Sequence, residues 1–174
     1  MKSIATLGSH CALQLLKGAK DEGFQTVLIC EKKRIPFYKR FKMIDQIIIV
    51  NKFSEIAKKE NLDKINEFDS ILIPHGTLIS EVGIEITENK LKVPIFGNRN
   101  ILRWESEREL KEKLMIDADL NPPKSISDPK KIKKLSIIKL PGAEGGKGYF
   151  LANDFNSFNK GLKKIGKKNI SKDD

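Results

Sequence analysis

Short apolar runs alternate with longer mixed segments over the first hundred residues of the chain. Five of these runs have the length and composition of strands, and they occupy residues 3–7, 26–30, 46–50, 71–73 and 93–96. Residues 11–22 and 53–61 have the apolar spacing of helices, and the first helix should end before Gly23. Because the strands are nearly continuous apolar runs separated by helices, we predict an α/β fold with a Rossmann-like parallel sheet covered on both faces.

The pattern changes after residue 100. Residues 101–120 predict one long charged helix, in which Trp104 would anchor the core. A polar connection then leads to a strand at 136–140, a glycine-rich loop and a second strand from Tyr149, followed by a helix over about 153–168. We therefore expect an α/β domain over residues 1–99 and the start of a second unit over residues 100–174.

Three of the predicted strands are followed by a glycine with polar neighbours. These turns are Gly8-Ser9-His10, His75-Gly76-Thr77 and Gly97-Asn98-Arg99. Ligands of open parallel sheets bind at the carboxyl ends of the strands, and a guanidinium can hold a phosphate or carboxylate at two points. The alternative for each is local: Ser9 or Thr77 could cap the next helix, and His10 could be a surface histidine. Together the three turns favour a ligand site.

The loop within SIIKLPGAEGGKGYF, residues 136–150, combines a strand lysine with four glycines. Glycine lets backbone N–H groups approach phosphate oxygens closely, and Lys139 and Lys147 would add positive charge. The order differs from G-x-x-x-x-G-K-[ST], because Gly148 and Tyr149 follow Lys147. We interpret the loop as a clamp for a nucleotide triphosphate; the alternative is an ordinary turn between two strands.

Composition restricts the functional classes. The net charge is +10 over 174 residues, with six basic residues in each of the segments 31–42 and 160–172. Such a charge fits nucleic acid or small anions such as nucleotides, and no nucleic-acid-binding motif accompanies it, so we expect no nucleic-acid partner. No segment predicts a membrane span or a signal peptide. Cys11 and Cys30 lack metal-ligand spacing, which favours a reduced, cytoplasmic protein.

Five short segments carry a resemblance to a known family. They are TLGSH at 6–10, PHGT at 74–77, FGNR at 96–99, RWESER at 103–108 and KLPGAEGGKGYF at 139–150. In this order they resemble the archaeal formate-dependent 5-formaminoimidazole-4-carboxamide ribonucleotide synthetases of the ATP-grasp superfamily. The resemblance covers nearly all of residues 3–165. It implies a pre-ATP-grasp domain that binds the ribonucleotide, followed by the first, incomplete part of an ATP-grasp domain.

The resemblance also implies a reaction and its site. The enzyme would be a ligase of purine (IMP) biosynthesis that uses ATP to activate formate as formyl phosphate. The amine of aminoimidazole carboxamide ribonucleotide would then attack to form the C–N bond. The resemblance implies that His10 and Thr77 contact the ribonucleotide. The strand-end turns add Ser9, Gly76, Asn98 and Arg99 as expected contacts. The residues implied to contact ATP are Lys139, Gly142, Gly145, Gly146, Lys147, Gly148 and Arg108, with Lys113 as the substitute if the register differs. No residue is assigned as catalytic.

Three features depart from the expectations of this family, the mildest being Thr77 where serine is more usual. Glu144 places a negative charge in the glycine-rich loop, which should weaken phosphate attraction. The Mg²⁺ ligands are expected in a carboxyl-terminal half that does not occur before Asp174, so the chain should be a truncated copy, inactive alone. Its partners would then be a separately encoded carboxyl-terminal half or further copies of itself. The alternative is a stand-alone nucleotide-binding or regulatory module that has lost catalysis.

Overall fold

The computed structural model of the chain describes residues 2–139 and 149–165, which divide between Leu120 and Asn121 into two units. The elements of the first unit are β1 (Ser3–Leu7), α1 (Ala12–Asp21), β2 (Gln25–Glu31), a 3-10 turn (Lys32–Arg34), α2 (Ile35–Tyr38), β3 (Gln46–Val50), a 3-10 turn (Phe53–Ala57), α3 (Lys59–Glu67), β4 (Ser70–Leu72), a π-helical turn (Leu78–Val82), α4 (Ile84–Asn89), α5 (Ile101–Ser106) and α6 (Arg108–Asp117). The elements of the second are a 3-10 turn (Pro129–Lys131), β5 (Ser136–Lys139), β6 (Tyr149–Ala152) and α7 (Phe155–Ile165).

The sheet of the first unit has the strand order β3-β2-β1-β4, and its neighbouring strands are all parallel. In the register of the ladders, Ser3 of β1 lies between Gln25 of β2 and Ser70 of β4. The predicted α/β class with a parallel sheet is confirmed. β1 occupies the middle of the sheet, so its carboxyl end lies between the ends of β2 and β4.

Apolar side chains cover both faces of this sheet, as continuous apolar strands require. Along β2, Val27 and Ile29 join the core that α3 and the following turns cover, whereas Leu28 and Cys30 pack against α1 on the other face. In the second of these cores Leu16 of α1 is fully buried. The alternation along a single strand therefore builds two cores.

The prediction of a fifth strand at residues 93–96 is wrong. This segment makes a single parallel bridge to β4, in which the Leu72 N–H donates to Pro94 O and the Phe96 N–H donates to Leu72 O, both at 2.9 Å. Pro94 has no N–H for a longer ladder, and neither does Pro74, two residues after the end of β4. One bridge is therefore all that this edge of the sheet can form.

The prediction of a single helix over 101–120 is also wrong, because α5 and α6 are separated at Glu107, whose backbone is extended (φ −91°, ψ 126°). Arg103 of α5 forms ion pairs with Glu85 and Glu88 of α4 and with Glu107 itself, at 2.9, 2.7 and 3.2 Å. Leu102 lies in the core of the first unit. These contacts join α5 to the rest of the first unit, which extends to Leu120.

The predicted helix at 53–61 is likewise replaced by two elements. A 3-10 turn ends at Ala57, Lys58 is extended (φ −67°, ψ 141°), and α3 begins at Lys59. The short elements α2 and α4 and the π-helical turn were not predicted.

The second unit contains the predicted hairpin, which is confirmed for its described residues. β5 and β6 are antiparallel, with Lys139 opposite Tyr149. α7 packs on one face, where the rings of Phe150 and Phe158 lie 5.9 Å apart. Gly161 of α7 is required there, because a Cβ at this position would lie 2.2 Å from the ring of Phe150. Within the described part of the chain, no helix is long and apolar enough to cross a lipid bilayer.

Candidate functional site

The turn after β1 lies so close to its neighbours that a side chain on Gly8 would crowd them. The Gly8 N–H donates to Ile29 O at 2.7 Å. A Cβ on Gly8 would lie 3.2 Å from the ring of Tyr38, 3.3 Å from the sulfur of Cys30 and 3.3 Å from Ile29 O. Gly8 therefore holds the following residues, Ser9 and His10, against the end of β2.

The ends of β1 and β4 are joined by a hydrogen bond between two buried hydroxyls. Ser9 Oγ and Thr77 Oγ1 lie 2.7 Å apart, and the two residues are 5% and 4% exposed. The Tyr38 hydroxyl donates to Ser9 O at 2.9 Å. The structure thus brings together two of the three turns that the sequence singled out.

Two histidines lie beside this pair. The rings of His10 and His75 are 6.4 Å apart between centroids, and His10 is exposed. His75 Nε2 lies 3.1 Å from Leu7 O, and the Thr77 N–H donates to His75 Nδ1 at 3.4 Å. A carbonyl can only accept, so these partners fix the tautomer with the proton on Nε2. Burial lowers the pKa of His75 and outweighs the opposite effect of the hydrogen bond to Leu7 O, which favours the neutral ring.

A cleft of about 530 Å³ adjoins Ser9 and His10. Its remaining lining residues come from α1, from the turn after β2 and from α2; they are Leu13, Lys33, Arg34, Phe37 and Tyr38. Leu13, Phe37 and Tyr38 make part of the wall apolar, while hydroxyl, imidazole and cationic groups make up the rest. Such a mixture suits a small polar ligand with a ring or sugar.

Lys33 and Arg34 were missed as site residues. The sequence marked the segment 31–42 only for its charge. Lys33 and Arg34 lie two and three residues after the end of β2, and this position at a strand end is the signal that could have identified them. Both cations contact one oxygen of the buried Glu31 carboxylate: Arg34 Nε donates to Oε2 at 3.0 Å, and Lys33 Nζ lies 3.2 Å from it.

The third predicted turn, Gly97-Asn98-Arg99, forms its hydrogen bonds with nearby residues of the first unit. The Arg99 guanidinium donates to the carbonyl oxygens of Thr87, Leu91 and Val93, at 2.6, 2.6 and 2.7 Å. Asn98 Oδ1 accepts a hydrogen bond from the Asn100 N–H at 3.0 Å. These contacts give Arg99 a structural role in holding the segment after α4. Gly76, in the second turn, is exposed.

The predicted ATP contacts are distributed over both units. Lys139 is exposed at the end of β5, while Arg108 is exposed at the start of α6 in the first unit. The Lys113 ammonium lies 5.7 Å from the ring centroid of Trp104, which is half-buried rather than a fully buried core anchor. The loop residues Gly142, Gly145, Gly146, Lys147 and Gly148 lie outside the described residues, as does Glu144. Over residues 2–139 and 149–165, no group of three or more His, Cys, Asp or Glu side chains could hold a metal ion.

Comparisons with known proteins found a matching family model and similar curated proteins. A family model described as protein of unknown function (DUF1246) matches residues 4–126. The 5-formaminoimidazole-4-carboxamide-1-(beta)-D-ribofuranosyl 5'-monophosphate synthetase of Nitrosopumilus maritimus is 55% identical over 159 residues, which are 91% of this chain and 46% of that protein. The protein of the same name from Methanocaldococcus jannaschii is 48% identical over 99% of this chain and 48% of its own length. The chain therefore spans about half the length of the curated relatives it matches.

Solved structures agree with these relationships. The IMP biosynthesis protein PurP from Thermococcus kodakaraensis matches with a TM-score of 0.65 and 30% identity over 85% of this chain and 48% of that one. An N5-carboxyaminoimidazole synthetase from Staphylococcus aureus matches with a TM-score of 0.64, covering 94% of this chain and 44% of that one. Its identity of 14% makes it a likeness of fold alone. The resemblance inferred from the five sequence segments is confirmed.

Proposed function

The chain belongs to the DUF1246 family, and from this premise we propose that it forms the ribonucleotide-binding part of an ATP- and formate-dependent ligase. The product would be 5-formaminoimidazole-4-carboxamide ribonucleotide, as in the names of its curated relatives. The terminal phosphoryl group of ATP would pass to formate, giving ADP and formyl phosphate. The amine of aminoimidazole carboxamide ribonucleotide would then attack the formyl carbon, and phosphate would leave.

The observation that carries this proposal is the hydrogen bond between Ser9 and Thr77 beside the cleft. The two hydroxyls belong to turns that are distant in sequence, and His10 lines the same cleft. Hydroxyls and imidazoles both donate and accept hydrogen bonds, which suits the hydroxyl, amine and amide groups of a ribonucleotide. The cleft volume of about 530 Å³ is in the range of small-ligand sites.

For the ATP side, we propose that Lys139 contacts the triphosphate. It lies directly before the glycine-rich segment 140–148, where a lysine can neutralise developing phosphate charge. Arg108 is the second proposed contact, with Lys113 as its alternative. Mg²⁺ would neutralise phosphate charge when bound, but the described residues do not assemble a ligand set for it, so no step is assigned to a metal here.

Calorimetric titration of aminoimidazole carboxamide ribonucleotide into the chain tests the proposal. We expect binding that His10→Ala weakens at least about tenfold, the loss of a hydrogen bond to a charged or strongly polar group. Gln14→Ala is the matched control, because Gln14 is exposed one helical turn further along α1 and does not line the cleft. Equal binding by the native chain and His10→Ala, with folding verified by circular dichroism, would contradict the assignment.

A separate titration tests the nucleotide side. ATP binding should be lost in Lys139→Ala and kept in Lys134→Ala, which removes an exposed lysine ahead of the same strand. Ribonucleotide binding should be unchanged in both. Undiminished ATP binding by Lys139→Ala would show that the clamp is misassigned.

A further inference from the structure

Two cations line the same cleft as Ser9 and His10, and no step of the proposed reaction has used them. Lys33 and Arg34 come from the 3-10 turn that follows β2, at the carboxyl edge of the sheet. This edge is where α/β sheets place ligands. The pair therefore contributes to the site itself.

Arg34 is fixed in place by its surroundings. Its Nε donates to the Glu31 carboxylate at 3.0 Å, its Nη1 donates to Gly8 O at 3.4 Å, and its guanidinium carbon lies 5.5 Å from the ring centroid of Phe53. The side chain is still 38% exposed. A guanidinium has more N–H donors than these contacts use, so donors remain for a ligand, held in a planar arrangement that matches phosphate oxygens.

The charge balance of the cluster favours an anion. Glu31 contributes one negative charge that is almost fully buried, at 8% side-chain exposure, whereas Lys33 and Arg34 contribute two positive charges. The Lys33 side chain is 71% exposed, so its ammonium can move from Glu31 toward a ligand at little cost. The excess positive charge lies beside a wall formed by Leu13 and Phe37. A phosphomonoester attached to a ring or sugar fits both features.

We propose that Arg34 and Lys33 bind the 5'-phosphate of the ribonucleotide, with Arg34 as the fixed contact and Lys33 as the mobile one. The inference rests on the proposed function, because the ribonucleotide is the ligand proposed for this cleft. It adds the orientation of that ligand: the phosphate lies toward the end of β2, and the remainder extends toward Ser9 and Thr77 at the ends of β1 and β4. It also explains how the site would select a nucleotide over the corresponding nucleoside.

The test compares aminoimidazole carboxamide ribonucleotide with its nucleoside, which lacks only the phosphate. Both are titrated by calorimetry into the native chain and into Arg34→Gln, Lys33→Gln and Lys32→Gln. Arg34→Gln should weaken nucleotide binding roughly tenfold to a hundredfold, the effect of a lost charge-assisted hydrogen bond, and leave nucleoside binding nearly unchanged. Lys33→Gln should have a smaller effect of the same kind.

Lys32→Gln is the matched control, because Lys32 is exposed in the same turn, carries the same charge and does not line the cleft. It should not change the ratio of nucleotide to nucleoside affinity. That ratio should also fall with added salt in the native chain, since phosphate attraction is screened. Because Arg34 contacts Glu31 and Phe53, its replacement can disturb folding; Lys33 is mostly exposed, so Lys33→Gln keeps the test valid in that case.

The outcomes separate the two proposals. If nucleotide and nucleoside bind the native chain and the replacements weaken both equally, or neither, the phosphate assignment is overturned and the proposed function stands. If neither compound binds the native chain at millimolar concentration, the proposed function fails and the phosphate assignment falls with it.

Discussion

The hydroxyl oxygens of Ser9 and Thr77 lie 2.7 Å apart although 68 residues separate them along the chain. They meet because β1 and β4 are adjacent and parallel, so the turns after both strands emerge at one edge of the sheet. A buried hydroxyl without a partner is costly, and each of these hydroxyls is the other's partner. The contact therefore links the packing of the first unit to the geometry of its candidate site.

Thr77→Val removes the hydroxyl with little change of volume and leaves Ser9 Oγ without its partner. We expect a loss of about 1–2 kcal/mol in the free energy of unfolding and a weakening of ribonucleotide binding. Thr77→Ser is the control and should keep most of both properties, because the hydroxyl remains. Urea unfolding and calorimetry measure the two effects. An unchanged stability of Thr77→Val would show that the hydrogen bond contributes nothing net.

Gly8→Ala should destabilise the first unit by roughly 1–3 kcal/mol through overpacking. The new methyl group would press on the Tyr38 ring, on Cys30 and on the Ile29 carbonyl, which is fixed in the sheet. Gly18→Ala is a matched control in α1, where nothing lies within 4 Å of the added Cβ. It should stabilise the helix by about 0.5–1 kcal/mol. A Gly8→Ala protein as stable as the native one in urea would refute the close approach.

His75 should make stability decrease as the pH falls. The folded state lowers the pKa of His75, mainly through burial, so below the unfolded value of about 6.5 the unfolded chain binds more protons than the folded one. Protonation therefore favours unfolding in this range. We expect the drop in Tm between pH 7.5 and pH 5.5 to be smaller in His75→Gln than in the native chain. The same drop in both would mean that other groups account for it.

Arg99→Met tests the structural role of a residue that the sequence assigned to substrate binding. The replacement leaves the carbonyls of Thr87, Leu91 and Val93 without their donor. We expect a loss of roughly 1–3 kcal/mol in unfolding free energy, while ribonucleotide affinity stays within about twofold for the folded fraction. Arg99→Lys should recover part of the stability. A stable protein with lost affinity would return Arg99 to the substrate site.

Much of the fold could be predicted because its strands are written as apolar runs. β1 and β3 were predicted at their observed residues, and β2 was predicted to within one residue at each end, because each is a nearly continuous run of apolar residues. The segment 93–96 is also mostly apolar, but Pro94 has no N–H to donate to a neighbouring strand. The predicted long helix is interrupted at Glu107, and the ion pairs from Arg103 to α4 that accompany the break have no local sequence pattern.

The candidate site could be predicted only in part. The rule that ligands gather at strand ends led to Ser9 and Thr77, and the structure brings these two together. The same rule selected Arg99. Its hydrogen-bond partners are backbone carbonyls, and no sequence pattern predicts such contacts. The sequence does not distinguish Arg34 from the other basic residues of segment 31–42, because what sets it apart is its contacts with Glu31 and Phe53. The roles of all these residues as ligand contacts stay predictions.

The central position of β1 in the sheet has a consequence for how the protein is made on the ribosome. β1 and β2 can pair once the first few dozen residues have emerged, whereas β4 and the turn that holds Thr77 are synthesised much later. A nascent chain that stops before β4 would carry the cations of the cleft without the hydroxyl partner of Ser9. All residues that line the cleft thus precede Thr77 in synthesis, and the hydrogen-bond partner of Ser9 is the last part of this arrangement to be made.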